Sequence, residues 1–192
     1  MVSRPRPGDL LVASPALTDP SFDRTVVLVV DSDDDGALGV VLNRPTPVTV
    51  GEVLPDWGPL VSQPDVLHQG GPVSSDSALA LGVLPAEVDP PVGWRTMYVD
   101  PGTGRCVGLV DLDAPPEVVA GATAAVRVFA GYAGWGGQQI LDELEEGAWY
   151  VVPATVEDVF GADADGLRER VLRRQPGMLA WVLTKPVDPE LN

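Results

Sequence analysis

Few side chains in this sequence are of a type that could do chemistry, and their spacing decides what they can do. His68 is the only histidine and Cys106 the only cysteine. A Ser-His-Asp arrangement needs an activated nucleophile beside the histidine, and the sequence contains no G-x-S-x-G elbow. A zinc site needs several His or Cys ligands, so one of each would have to be completed by carboxylates. His68 lies in a short apolar stretch, Val66 to Gln69, and is expected to be structural. Cys106 follows Arg105, which would favour a thiolate if the two side chains met. It heads an apolar run, however, and reads as a core or edge residue. Asp31-Ser-Asp-Asp-Asp-Gly36 matches the first half of an EF-hand calcium loop, but the twelfth position is Leu42 rather than the bidentate Glu that completes the oxygen cage. The segment reads as a solvated hairpin tip. No metal site is expected.

Glycine is concentrated in Gly131-Tyr-Ala-Gly-Trp135-Gly-Gly-Gln138-Gln-Ile-Leu-Asp-Glu143-Leu. Within it Gly134 to Gln139 resembles a broken G-x-G-x-x-G whose third glycine is missing, with no acidic residue at ribose distance in a βαβ unit. Dinucleotide binding is rejected and no cofactor is expected. Two readings remain open for the glycines. They let backbone N–H groups approach an anion at a helix start, or they allow a tight strand-to-helix corner under Trp135.

Arg44 stands between Asn43 and Pro45, and the proline holds it in extended backbone so that its side chain projects in a fixed direction. It can pair with an Asp at a strand end or hold a carboxylate or phosphate. Arg24, after Phe22, offers the same two readings. Arg168, Arg170, Arg173 and Arg174 lie on one predicted helix, the last two in the turn where cations offset the dipole. No aromatics interleave them as in a nucleic-acid surface. Of the five tryptophans (Trp57, Trp94, Trp135, Trp149 and Trp181), Trp135 beside glycines and Gln138 is the one expected near a pocket.

The elements that must position these groups are short. The chain has 192 residues, 20 of them proline and 21 glycine, with 45% hydrophobic and 21% charged residues. That is one domain's worth of chain, able to fold without disulfide or metal. Leu10 to Ala13, Thr25 to Asp31, Ala37 to Leu42, Val66 to Gln69, Ala124 to Ala133 and Trp149 to Val152 read as strands. Thr25 to Asp31 is β-branched and continuous, the pattern of a strand covered on both faces. The acidic tip makes a hairpin of the second and third runs. Thr96 to Asp100 and Cys106 to Leu112 form a second hairpin around Pro101 to Gly104. Ser77 to Leu84 and Leu179 to Leu183 are further apolar elements. Helical turns are expected at Val48 to Leu54 with Thr49 as N-cap, after Pro115 and Pro116 with Asp113 as N-cap, and from Thr155 to Phe160. Fuller helices are expected over Gly137 to Glu146, with Gly147 after it, and over Leu167 to Gln175. Strands dominate without regular βα alternation, which predicts a single α+β domain built on a mainly antiparallel, barrel-like twisted sheet with short helices around it.

A net charge of −16 and a pI near 4.1 repel phosphate backbones and anionic membranes. Direct nucleic-acid contact and membrane association are not expected. No apolar stretch of leader length follows Arg4 and Arg6, and an apolar run such as Val26 to Val30 is far shorter than a bilayer span. The compartment expected is the cytoplasm.

Four ordered blocks resemble one family. Gly8-Asp-Leu-Leu-Val-Ala-Ser14-Pro15 followed by Asp19-Pro-Ser-Phe22-Asp-Arg24-Thr-Val-Val-Leu looks like the opening of the AlgH/YqgE family. Gly36-Ala-Leu-Gly39-Val-Val-Leu-Asn43-Arg44-Pro45 is similar to its second block, and Gly70-Gly71-Pro72-Val73 to its third. Gly131 through Glu143, with Gly147-Ala-Trp149, resembles the fourth. The resemblance covers about Gly8 to Trp149. It implies one α+β domain over residues 1–192 in a bacterial cytosolic protein of a family often labelled transcriptional regulators, one of whose names derives from regulation of exopolysaccharide synthesis. It carries over no catalytic residues. Its motif positions here (Phe22, Arg24, Asn43, Arg44, Gly70, Gly71, Pro72, Tyr132, Trp135 and Gln138) are candidates for a shared surface, most of them turn and packing residues.

Without an acid–base pair, nucleophile or metal set, the expectation is a non-catalytic binding or regulatory module. Its groove is built from Arg24, Asn43, Arg44, Trp135 and Gln138, and its partner is a small anion or a protein segment. Any transcriptional effect is indirect. The rival readings are a small hydrolase with a scattered site, based on His68 or an Asp, and a nucleic-acid-binding regulator.

Overall fold

The continuously apolar N-terminal runs become adjacent antiparallel strands. β1 (Asp9–Ala13) pairs β2 (Val26–Ser32), with Leu10 opposite Leu28 and Val12 opposite Val26. β2 pairs β3 (Gly36–Val41) across the acidic tip. Val26 to Val30 are all buried, as a strand covered on both faces requires. At the tip, Asp33 Oδ1 accepts the N–H groups of Asp35 (2.9 Å) and Gly36 (3.1 Å), so the carboxylate closes the turn. The computed structural model of the chain describes residues 3–177.

Twelve-residue strand β9 (Ala125–Gly136) is the centre of the sheet. β3 lies on one side of it and β6 (Val73–Leu84) on the other. β8 (Cys106–Val110) and β7 (Trp94–Val99) continue beyond β6, and β10 (Trp149–Pro153) flanks β1. The order is β10-β1-β2-β3-β9-β6-β8-β7. β5 (Val66–Gln69) pairs β9 in parallel and β4 (Pro45–Thr49) antiparallel. Every other pairing is antiparallel, and the sheet curls into a half-barrel. The curl brings the far strand back to the start of the chain. The Tyr98 ring on β7 packs so closely on Gly8 that a methyl group there would lie 2.6 Å away, and Arg95 on β7 reaches Asp31 on β2 at 3.4 Å.

Alternation along the strands divides the core. The concave face holds Leu10, Val12, Val26, Leu28, Val40, Leu42, Leu81 and Phe129, closed by α4 (Val156–Phe160) and α5 (Leu167–Arg173). The other face of β1 to β3 carries Leu11, Val27, Val29 and Val41 under α3 (Gly137–Glu145), which contributes Ile140 and Leu144. A third cluster, including Val110, Val126 and Val128, lies beneath α1 (Val50–Val53), α2 (Pro116–Ala120) and Trp57.

Three expectations need correction. Residues Pro45–Thr49, rich in proline, form β4; the strand is tolerated because it pairs on one side only. β6 begins at Val73 rather than Ser77, because an irregularity between Val73 and Ala78 lets the chain step across Gly131. Pro115, not Asp113, occupies the cap of α2, while Asp113 N–H donates to the Asp111 carboxylate. Leu179 to Leu183, with Trp181, lie outside the described residues.

Candidate functional site

Four of the five groove candidates meet around one loop, residues 19–25. Its backbone makes a single turn, with the N–H groups of Phe22 and Asp23 donating to the Asp19 carbonyl at 2.9 and 2.7 Å. Arg24 then turns the chain into β2 in the left-handed region, φ 58°, a conformation with a steric cost for a residue bearing a Cβ. Asn43 fixes that turn. Its Oδ1 accepts Val26 N–H (2.9 Å) and its Nδ2 donates to the Arg24 carbonyl (3.0 Å), so a side-chain amide continues the β2–β3 ladder past the end of β3. Arg44 donates to the carbonyls of Ser21 (2.7 Å), Pro20 (2.9 Å) and Asp23 (3.4 Å). Its partners are backbone oxygens rather than the Asp carboxylate the sequence offered as one alternative.

The same loop carries Phe22 onto the fourth candidate. Phe22 packs on Trp135 and Trp149 with ring centroids 5.7 and 5.6 Å away, and the two indoles meet edge to face at 5.8 Å. Both indole N–H groups donate to one oxygen, Glu143 Oε2, at 2.9 and 2.8 Å, while Gln139 Nε2 holds Oε1. Trp135 is thus enclosed beneath Phe22. The glycines around it make the corner: a methyl group at Gly137 would lie 2.1 Å from the Asp34 carbonyl oxygen. The fifth candidate, Gln138, is exposed on the first turn of α3 and donates to Asp142 one helical turn on. No hydrogen bond connects it to the loop. The third motif block lies deeper: Gly70 accepts Val41 N–H at 2.8 Å, and Gly71 presses against the backbone of Tyr132.

The buried ionisable residues His68 and Arg127 sit apart from this corner. His68 on β5 is fully buried against Phe129; its Nδ1 faces the Val66 carbonyl at 3.3 Å, and Nε2 has no partner among the described residues. Burial first, and the positive charge of Arg127 second, lower its pKa to about 4 against the opposing hydrogen bond to Val66. Arg127 on β9, also buried, donates to the carbonyls of Val159 (2.8 Å), Gly161 (3.0 Å), Gln63 (3.1 Å) and Phe160 (3.3 Å). Burial lowers its pKa to about 10, opposed by the charge of Glu157. Its positive charge faces the carbonyl end of α4, so it ties the central strand to α4 and to the loop before β5. Sequence reasoning passed over Arg127, although a lone charge within the apolar run Ala124 to Ala133 was a visible signal. It also passed over Glu143, whose role depends on two tryptophans meeting in space.

Among the described residues no group of three His, Cys, Asp or Glu side chains is placed to hold a metal ion. No helix among them is long and apolar enough to cross a membrane. A surface cleft of about 370 Å³ lies between α4 and α5, lined by Thr155, Glu157, Asp158, Arg170, Arg173 and Arg174. Its arginines are engaged with Asp163, Glu169 and Asp158.

The AlgH-like family model matches residues 10–180. This chain belongs to the AlgH-like family. Its AlgH-like relatives include UPF0301 proteins of Streptomyces coelicolor and Thermobifida fusca, each 55% identical over 188 residues, covering 96% of this chain and 94% of theirs. A UPF0301 protein of Mycobacterium tuberculosis is 43% identical, covering 98% and 92%. The crystal structure of protein DIP2367 from Corynebacterium diphtheriae superposes with a TM-score of 0.87 at 32% identity, covering 95% of this chain and 93% of that one. The solution structure of AlgH from Pseudomonas aeruginosa shares the fold, with a TM-score of 0.66 at 24% identity over 97% and 98% of the chains. The AlgH-like fold is therefore the half-barrel described above.

Proposed function

We propose that this protein is a binding module without catalytic chemistry of its own, and that its recognition surface is the corner formed by the 19–25 loop, Asn43–Arg44 and the β9–α3 turn. The observation that supports this best is convergence. Residues separated by more than a hundred positions order one exposed loop: Asn43 and Arg44 through its carbonyls, Trp135 and Trp149 through Phe22. A loop held this firmly loses little entropy when a ligand docks. Arg24 and Gln138 supply exposed polar groups on either side of the aromatic cluster. The two reactive residue types that occur once, His68 and Cys106, are not at this corner. A cytoplasmic partner and an indirect effect on transcription fit a net charge of −16, which opposes direct contact with DNA.

Isothermal titration against a panel of metabolites and nucleotides tests the reading. Wild type is expected to bind a member of the panel, and Arg44→Ala, which releases three loop carbonyls, is expected to weaken that binding. A panel with no binder, or binding untouched by Arg44→Ala in a variant that keeps its near-UV circular dichroism, overturns the assignment of this corner.

A further inference from the structure

We propose that the guanidinium groups of Arg24 and Arg168, with the hydroxyl of Tyr150, form a binding site for an oxyanion: a phosphate or carboxylate group of a small ligand. This rests on the reading of the corner as a recognition surface and adds a residue from the far end of the chain.

The geometry starts at the end of β1. Arg168 projects from α5 and donates through Nη2 (2.9 Å) and Nε (3.3 Å) to the carbonyl of Ala13, the last residue of that strand. Ala13 in turn donates its N–H to the carbonyl of Thr25 at 3.0 Å, so the residue after Arg24 is bound to the residue that Arg168 holds. Tyr150 stands opposite Val12 on the neighbouring strand β10, and its ring packs on the concave face that α5 closes. Two guanidinium-bearing residues and a phenol are thus gathered at one rim of the half-barrel.

Two features of this cluster lack a purpose in folding alone. First, like charges are gathered in a molecule with 28 acidic residues and only 12 basic ones. The Arg168 guanidinium is held below its usual range, first by burial and then by the charge of Arg24, with Tyr150 and Asp23 acting in the opposite sense. Asp23 is close enough to moderate the repulsion, yet among the described residues it forms no ion pair with either arginine. Second, Arg24 occupies a left-handed backbone position where glycine would carry no steric cost. Its exposed guanidinium makes no hydrogen bond among the described residues, and neither does the Tyr150 hydroxyl. An anion between the arginines would convert the repulsion into two charge-assisted contacts, with the N–H groups that Arg168 does not use on Ala13, which have no other partner among the described residues, as donors. Because Asn43 clamps the Arg24 carbonyl at 3.0 Å, the site is ordered before the ligand arrives.

The test uses the intact protein and two probes, inorganic phosphate and acetate, at low ionic strength. Binding is followed by NMR through backbone amides and arginine Nε–H signals. Saturable shifts are expected at Ala13, Arg24, Tyr150 and Arg168, with millimolar affinity for one probe. Preference for phosphate assigns a phosphoryl ligand and preference for acetate a carboxylate. Arg24→Gly, which suits the left-handed backbone, and Arg168→Gln should each weaken binding at least about fivefold, and Asp23→Asn should tighten it about twofold or more. Absence of saturation for both probes up to about 50 mM, or shifts unchanged in Arg24→Gly, overturns the site. If a neutral panel member binds the corner while both anions fail, the oxyanion site falls and the binding module stands. If nothing binds, both fall.

Discussion

Acidification should unfold this protein partly through one residue, His68. The imidazole is fully buried, neutral, and beside a buried arginine. Folding lowers its pKa from 6.5 to about 4. A depressed base is neutral in the native state while the unfolded chain binds the proton. The stability this confers is therefore complete above pH 6.5 and is lost as pH falls toward 4. The gap between these values corresponds to about 3 kcal/mol in all, of which about 2 kcal/mol is gone by about pH 5. Arg127 is the charged group facing His68 from β9, and Glu157 of α4 interacts with Arg127 behind it. Because Arg127 stays protonated throughout this window, it does not mask the transition. The assay is urea unfolding of wild type and His68→Leu at a series of pH values between about 7.5 and 4. Titration of the carboxylates is common to both proteins and cancels in their difference. Leucine fills a similar volume, carries no proton and leaves no orphaned ring nitrogen. Relative to wild type, His68→Leu should gain about 3 kcal/mol on going from the top to the bottom of the range. A difference that stays flat within about 0.5 kcal/mol would refute the account, since it would mean the imidazole charges as easily in the fold as in water.

Other substitutions probe the remaining buried polar links. Arg127→Lys replaces a fork that reaches four carbonyls with a single point charge, and should lower unfolding free energy by at least about 2 kcal/mol in urea titration. Glu143→Ala leaves two indole N–H groups without their shared acceptor. It should cost about 3 kcal/mol and shift the tryptophan emission. Gly131→Ala should cost at least about 2 kcal/mol in thermal or urea unfolding. Its φ is 70°, and the added methyl would lie 2.7 Å from the Gly71 carbonyl oxygen and 2.8 Å from that of Val73.

Local chemistry made most of the secondary structure legible. The unbroken apolar run at Val26 to Val30, the Asp-rich tip, Thr49 and Thr155 as helix caps, and Gly147 after α3 each act within a few residues, so neighbouring sequence suffices to recognise them. β4 was missed for the same reason inverted. Local preference speaks against Pro45 and Pro47 in a strand, and only the partner β5 makes the pairing possible. The candidate site was legible as a set of residue types, not as an arrangement. Arg24, Asn43, Arg44 and Trp135 stood out by composition and motif, yet nothing near Arg44 says that its donors go to Pro20, Ser21 and Asp23. Nothing near Trp135 says that Phe22 covers it.

By itself, then, the sequence determined the strand-rich α+β class, the acidic surface, the absence of any recognisable catalytic motif, and membership of a family through four glycine-marked blocks. Those properties depend on composition and on interactions of short range along the chain. Tertiary structure alone decided the roles of Arg127, Glu143 and Arg168. Each acts on partners 32 to 155 positions away, or through two rings brought together by different elements. Hydrogen bonds and charges act over a few ångströms, and the curl of the sheet chooses which distant residues come within that range.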